Sequence, residues 1–124
     1  MPTPIRIVVG DKVLDAELND TETAKLIAEA LPIAATGATW GDEIYFGIPV
    51  DADEEPGAKQ SVAVGDLGYW PPGTSFCIFY GKTPISTSTE ILAASPVNII
   101  GHLTSDPAQL KGTRSGVAAR VEKA

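Results

Sequence analysis

A length of 124 residues and a formal net charge of −7 indicate one acidic domain, which we place over residues 1–124. The nine lysines and arginines are spread along the chain and form no basic cluster of the kind that nucleic acids and anionic membranes require, so we expect neither as a partner. No apolar run approaches the roughly 18 residues of a membrane span, and the first residues lack a secretion-signal pattern, so we expect a cytoplasmic protein.

A hairpin followed by a helix is predicted for the first third of the chain. The β-branched run 5–9 and the segment 13–18 are joined by a Gly-Asp pair, which suits a two-residue turn. Apolar residues at helical spacing then predict a helix over residues 20–31, with Asn19 and Asp20 as capping residues. The proline that follows ends this helix, because the residue before proline avoids the α region.

The remainder of the chain alternates strand signals with turn residues. The expected strands are residues 39–46, 62–64, 67–70, 76–80, 97–103 and 117–121. Residues 82–95 are mostly small and polar and are expected to form a long loop, and Asp106-Pro107 predicts one short helical turn. About eight short strands, one α-helix and no βαβ rhythm indicate a mainly β fold, a closed or nearly closed barrel.

A single cysteine and a single histidine limit the chemistry of disulfides and metals. Cys77 has no partner for an internal disulfide, and it falls in an apolar segment, where a buried thiol is common. Zinc takes three or four ligands, usually Cys or His, so Cys77 and His102 cannot form such a site alone. The acidic run 51–55 lacks the spacing of an EF-hand and is typical of a solvated loop. We therefore expect neither a metal nor a cofactor.

Three stretches resemble one protein family: TWGDEIYFGIPV at residues 39–50, VGDLGYWPPGTSFCIFYGKTP at 64–84 and PVNIIG at 96–101. They are similar to small, mostly uncharacterised prokaryotic proteins with a cyclophilin-like β-barrel, and the length, the opening hairpin and the single helix fit as well. The resemblance implies a closed barrel of about eight strands with one helix closing an end. It implies no established activity.

The true cyclophilins isomerise X-Pro bonds, and the resemblance allows their residues to be compared with this chain. Those enzymes hydrogen-bond the substrate amide with an arginine, but the arginines here, Arg6, Arg114 and Arg120, lie outside the central strands. Aligning Lys82-Thr83 with a similar pair in the isomerases puts Cys77 at their pocket phenylalanine, Ser75 at their glutamine and Ile85 at their tryptophan. These departures argue against efficient prolyl isomerase activity.

Glu43 is the candidate catalytic residue. It stands between Trp40 and Tyr45, whose rings can exclude water from a carboxyl, raise its pKa and make it a general acid or base. Strand alternation places Glu43 and Tyr45 on one face, in solvent or along a groove, and Ile44 and Phe46 on the core face. A solvent-facing carboxylate without a function is the alternative interpretation.

The segment 65–84 holds most of the aromatic side chains of the chain, in two strands joined by a Pro-Pro-Gly turn. Trp70 ends its strand beside that turn, where a ring can cover the barrel end or form the wall of a pocket. Phe76 and Phe79 are three positions apart and so face opposite sides of their strand, and Tyr80 is expected at the rim. Tyr45, Trp70, Phe79 and Tyr80 are therefore the candidate ligand-binding residues.

Two functions of different classes follow from these residues. The first is a protein that binds a small organic ligand or a peptide segment near Glu43, Tyr45, Trp70 and Phe79, with neutral or cationic ligands favoured by the acidic surface. The second is a small-molecule metabolic enzyme with Glu43 as general acid or base and Tyr45 or a loop hydroxyl orienting the substrate. Weak prolyl isomerase activity comes third. A strand edge near the termini would also allow a homodimer.

Overall fold

The structure is a computed structural model that describes residues 2–124. Over this range it contains nine β-strands and one α-helix. The first six elements are β1 (Thr3–Val9), β2 (Lys12–Leu18), α1 (Glu22–Ala30), β3 (Ile33–Thr39), β4 (Glu43–Gly47) and β5 (Lys59–Val62). The last four are β6 (Asp66–Trp70), β7 (Ser75–Phe79), β8 (Ile91–Leu103) and β9 (Val117–Lys123). Single 3-10 turns follow β6 and β8, at Pro71–Gly73 and Pro107–Leu110, and Asp106 caps the second one as predicted.

Eight of these strands pair in a ring. Their order is β2-β1-β9-β3-β4-β7-β6-β8, and β2 also pairs with β8, which joins the two ends of the order. At this junction Leu18 stands opposite Gly101, and a Cβ on Gly101 would overlap the carbonyl oxygen of Glu17, so the close approach requires glycine. β5 pairs with β8 outside the ring. The predicted mainly β fold of about eight strands with one helix is confirmed.

The ring encloses the main hydrophobic core, and a smaller cluster covers its outer face. Phe46 and Phe76 lie in the main core with their rings stacked at a centroid distance of 5.2 Å. The outer cluster contains Val62, Cys77, Phe79, Ala93 and Val97. Phe76 and Phe79 face opposite sides of β7, as the sequence predicted, with Phe76 inward and Phe79 outward. Both rings are fully buried because both faces of β7 are covered.

Strand β8 is longer than the sequence predicted. Residues 91–95, which were expected in a loop, are part of this strand, and residues 91–92 pair with residues 61–62 of β5. Ala93 and Val97 pack into the outer cluster. Ile91 and Leu92 are apolar, unlike the small and polar residues before them, and pairing with β5 makes this stretch part of the strand. The first half of β8 therefore covers the outer face of β7.

The helix is shorter than predicted because a different residue caps it. Thr21 is the N-cap, and its hydroxyl accepts a hydrogen bond from the N–H of Ala24 at 3.3 Å. Asn19 instead accepts from the N–H of Thr21 at 3.1 Å and donates its side-chain amide to the carbonyl of Ile99 at 2.8 Å. The predicted cap at Asn19 or Asp20 was therefore wrong, since Asn19 fastens the segment before α1 to β8.

The strands at both ends of the chain are paired on both sides. β1 lies between β2 and β9, and β9 lies between β1 and β3, so the strand edge predicted near the termini was wrong. β5 pairs with β8 alone and is four residues long. One side of this short strand is therefore unpaired, and the strand carries the charged residue Lys59.

The acidic loop between β4 and β5 is fastened by a buried polar side chain. Asn98 of β8 accepts a hydrogen bond from the N–H of Glu55 at 2.8 Å and donates to the carbonyl of Asp53 at 2.9 Å. It also donates to the hydroxyl of Thr23 at 3.0 Å, and that hydroxyl donates to the carboxylate of Glu55. The loop is therefore held by its backbone and by the side chain of Glu55, while the side chains of Asp53 and Glu54 are exposed as predicted.

Candidate functional site

A pocket of about 300 Å³ lies on the outer face of the sheet, against β4, β7 and the first half of β8. Three aromatic side chains line it: Trp40, Tyr45 and Trp70. Small apolar side chains come from β8: Ala93, Ala94 and Val97. Glu43 and Cys77 add the polar groups. Ligand pockets typically combine apolar and aromatic walls with a few polar groups, and this volume lies at the lower end of their range.

The pairing of β4 with β7 brings the polar groups of the pocket together. Glu43 stands opposite Phe79 and Tyr45 opposite Cys77, so alternate residues of both strands project from the outer face. Ile44, between Glu43 and Tyr45, is buried in the main core. Alternation in the sequence thus predicted which face of β4 carries Glu43, and β7 adds the thiol beside it.

The indole of Trp70 is held in place on two sides. Its Nε1–H donates a hydrogen bond to the hydroxyl of Ser95 at 2.6 Å. The six-membered ring lies against Gly73, where a Cβ would come within 2.7 Å of two ring carbons. The 3-10 turn at Pro71–Gly73 ends at Thr74, which adopts a left-handed conformation with φ of 43°. The Pro-Pro-Gly turn therefore positions this aromatic wall.

Trp40 is positioned by the turn between β3 and β4. Its backbone N–H donates to the carbonyl of Glu43 at 2.9 Å, which closes the turn. Gly41 has a φ of 61° and packs so tightly against the backbone of residues 82–83 that a Cβ would come within 2.8 Å of the Lys82 carbonyl oxygen. Asp42 forms an ion pair with Lys111 at 2.5 Å, which fastens the turn to the loop before β9.

Burial controls the protonation of Glu43. The side chain is 6% exposed, and loss of hydration raises its pKa to about 7, while the neighbouring Cys77 thiol acts in the opposite direction. Burial first, and then the charge of the nearby Glu43, raise the pKa of Cys77 well above its usual value. The thiol is therefore protonated at neutral pH. A carboxyl that titrates near neutrality can accept or release a proton under ordinary conditions.

Two of the four predicted ligand-binding residues lie behind the pocket surface, whereas Tyr45 and Trp70 line it. Phe79 is fully buried in the outer cluster with Cys77, so its ring supports the pocket wall. Tyr80 belongs to the main core, on the opposite face of the sheet from the pocket, and not to the expected rim. Burial and then the charge of Asp42 raise the pKa of its phenol.

The other lining residues were not assigned to ligand binding from the sequence. Trp40 precedes Glu43 by three positions across a tight turn, so strand alternation does not predict that they share a face. Its nearness to Glu43 in the sequence was the available signal. Ala93 and Ala94 lie in the segment that was predicted to be a loop, and alanine carries no signal of a binding role.

Comparison with known proteins supports this architecture. Residues 3–122 match a family model described as Cyclophilin-like. The chain belongs to the cyclophilin-like family. It is also similar to the solution structure of the hypothetical protein AF2241 from Archaeoglobus fulgidus, with 40% sequence identity and a TM-score of 0.83. That similarity covers 99% of this chain and 95% of AF2241. The comparison with curated proteins gave no match.

Membership in the cyclophilin-like family confirms the resemblance seen in the sequence. AF2241 is described as hypothetical, so the comparisons support the fold and assign no activity. Over residues 2–124, no group of three or more His, Cys, Asp or Glu side chains could hold a metal ion. Within the same range, no helix is long and apolar enough to cross a membrane.

Proposed function

We propose that this protein binds a small organic ligand in the outer pocket, with Tyr45, Trp70 and Glu43 as its main contacts. The observation that carries the proposal is the composition of the pocket: aromatic and small apolar walls with one buried carboxyl in about 300 Å³. A peptide segment could insert a single side chain into the same space. The net charge of −7 favours neutral or cationic ligands over anionic ones.

The proposal includes a lack of efficient prolyl isomerase activity. None of the residues that line the pocket is an arginine. Arg6 forms an ion pair with Asp15 on β2, and Arg120 one with Glu122 on β9. A protease-coupled assay on a proline peptide tests this point, and rapid isomerisation at nanomolar protein concentration would contradict it.

A thermal-shift screen of metabolites and short peptides tests ligand binding. We expect hits that raise the melting temperature of the wild-type protein and have no effect on Ala94→Trp, in which a large ring fills the pocket from an exposed position. Trp70→Ala should also lose the effect, whereas Glu54→Gln, which removes an exposed carboxyl outside the pocket, should respond as the wild type does. A screen without any hit that depends on the pocket would contradict the proposal.

A metabolic enzyme with Glu43 as general acid or base is the second candidate function. The observation that favours it is the pKa of about 7 for a carboxyl that lines the same pocket as a thiol. Efficient general acids and bases have a pKa close to the working pH. Each ligand from the screen should therefore be followed by NMR for chemical change. Turnover that Glu43→Gln abolishes while binding persists would favour the enzyme over the binding protein.

A homodimer is a further proposal, separate from the pocket. One side of β5 is unpaired along its whole length, whereas both sides of β1 and β9 are occupied, so we take β5 as the strand that would pair between two copies. Light scattering across a range of protein concentrations gives the oligomeric state directly. A dimer that persists in Ser61→Pro, which places a proline in β5, would show that another surface is used.

A further inference from the structure

We infer that the ligand of this pocket is an organic cation, with an alkylammonium group held against the rings of Trp40, Tyr45 and Trp70 and the carboxylate of Glu43 as its counter-ion. The inference rests on the proposed function, because it names the class of ligand for the same pocket. It follows from three independent features: the aromatic walls, the unpaired carboxyl and the sign of the protein's charge.

The aromatic walls offer ring surfaces to a ligand. A cation within about 6 Å of the centre of a tryptophan or tyrosine ring is attracted by the negative face of that ring. The N–H of Trp70 already donates to the hydroxyl of Ser95 at 2.6 Å, so Trp70 can contact a ligand only through its ring. Three such rings around one space are a common arrangement for alkylated ammonium groups, which are too weakly hydrated to need hydrogen-bond acceptors on all sides.

Glu43 is a buried carboxyl without a cation beside it. No ion pair among residues 2–124 includes Glu43, although it is 6% exposed. A buried carboxylate is unfavourable unless it is paired, which is why burial raises the pKa of Glu43 to about 7. A bound cation would supply the missing charge, and Glu43 would then release its proton to the solvent.

None of the side chains that line the pocket with Glu43 carries a positive charge. The titratable side chains that share the pocket with it are Tyr45 from β4 and Cys77 from β7, and β8 contributes alanines and a valine there. Asp42, the preceding residue, is paired with Lys111 at 2.5 Å. The net charge of −7 adds a long-range attraction for cations, which added salt weakens.

Choline and its neutral isostere, in which a carbon replaces the nitrogen, form a matched pair of probes. At about pH 8, tryptophan fluorescence and calorimetry should show that choline binds more tightly than the neutral isostere. Because binding requires the ionised carboxyl, choline affinity should fall by about tenfold for each pH unit well below the pKa of Glu43. The neutral isostere should show no such dependence. Calorimetry in two buffers of different ionisation enthalpy should detect proton release when choline binds below that pKa.

The variants separate this inference from the proposed function. Glu43→Gln keeps the shape of the side chain and should lose both the preference for choline and its pH dependence, while Glu54→Gln should retain both. Equal binding of the two probes, or identical choline binding by Glu43→Gln and the wild type, would overturn the cationic ligand and leave pocket binding intact. If neither probe binds but neutral compounds bind in a manner that Ala94→Trp abolishes, the cation is again overturned. Only the absence of any ligand that depends on the pocket would also remove the proposed function.

Discussion

Glu43 and Cys77 are diagonal neighbours on β4 and β7, and the Cys77 thiol donates its hydrogen bond to the carbonyl of Ser75 at 3.8 Å. Both side chains lie on the outer face of the sheet, and both line the same pocket. The charge of Glu43 raises the pKa of Cys77, and the thiol lowers the pKa of Glu43. Each group therefore influences the proton affinity of the other, and burial dominates both.

Replacement of Glu43 by glutamine should change how stability depends on pH. The pKa of Glu43 is about 7 in the folded protein and 4.5 in the reference state, so the folded chain keeps a proton that the unfolded chain releases. Stability supplied by this group is present below about pH 4.5 and is lost as the pH rises through about 7. Relative to Glu43→Gln, the wild type should lose on the order of 3 kcal/mol across that window. Urea unfolding at several pH values measures this, with Glu54→Gln as control, and parallel profiles for wild type and Glu43→Gln would contradict it.

Gly73→Ala should displace the indole of Trp70. The new Cβ would lie within 2.7 Å of two ring carbons, so the ring must shift and weaken its hydrogen bond to Ser95. Overpacking of this kind costs about 1–3 kcal/mol of unfolding free energy. Gly57→Ala is the matched control, because nothing lies within 4 Å of a Cβ at that position. Tryptophan emission and urea unfolding should change for Gly73→Ala only, and an unchanged spectrum would show that the ring is not held as described.

Asn98→Ala should release the acidic loop. The change removes one acceptor and two donated hydrogen bonds that fasten Glu55, Asp53 and Thr23. Loss of a buried polar partner costs about 1–3 kcal/mol for each group left unsatisfied. Limited proteolysis should then cut within residues 51–58 faster than in the wild type. Gln109→Ala, at an exposed position, should leave the rate unchanged. A cleavage rate unaffected by Asn98→Ala would mean that other contacts hold the loop.

Cys77 should react slowly with thiol reagents in the folded protein. It is 1% exposed and its pKa is raised well above the usual value, so the reactive thiolate is scarce. Labelling at about pH 8 should become rapid only in denaturant. Ser88→Cys in a Cys77→Ala background provides an exposed thiol for comparison. Equal labelling rates for the two native proteins would show that the pocket opens readily to the solvent.

The local pattern of the sequence was sufficient for the strands that carry Glu43 and Trp70. Alternation in β4 separated Ile44 from Glu43 correctly, and the Pro-Pro-Gly turn located the hairpin of β6 and β7. The sequence pattern was insufficient where contacts between residues far apart in the chain decide the local structure. Residues 91–95 were assigned to a loop together with the polar residues before them, yet pairing with β5 and packing in the outer cluster make them part of β8. Tyr80 was misplaced because the inward alternation of β7 continues through it into the main core.

The strand β8 connects the wall of the pocket to the junction of β2 and β8 that closes the ring. Over residues 91–97, β8 pairs with β5 and contributes Ala93 and Ala94 to the pocket, and over residues 98–103 it pairs with β6 and β2. At the far end, Gly101 meets β2 with no room for a side chain. A ligand that stabilises the pocket wall therefore also stabilises the strand whose pairing with β2 closes the ring. When a ligand occupies the pocket, amide hydrogen exchange should become slower at residues 16–18 and 101–103, although none of these residues lines the pocket.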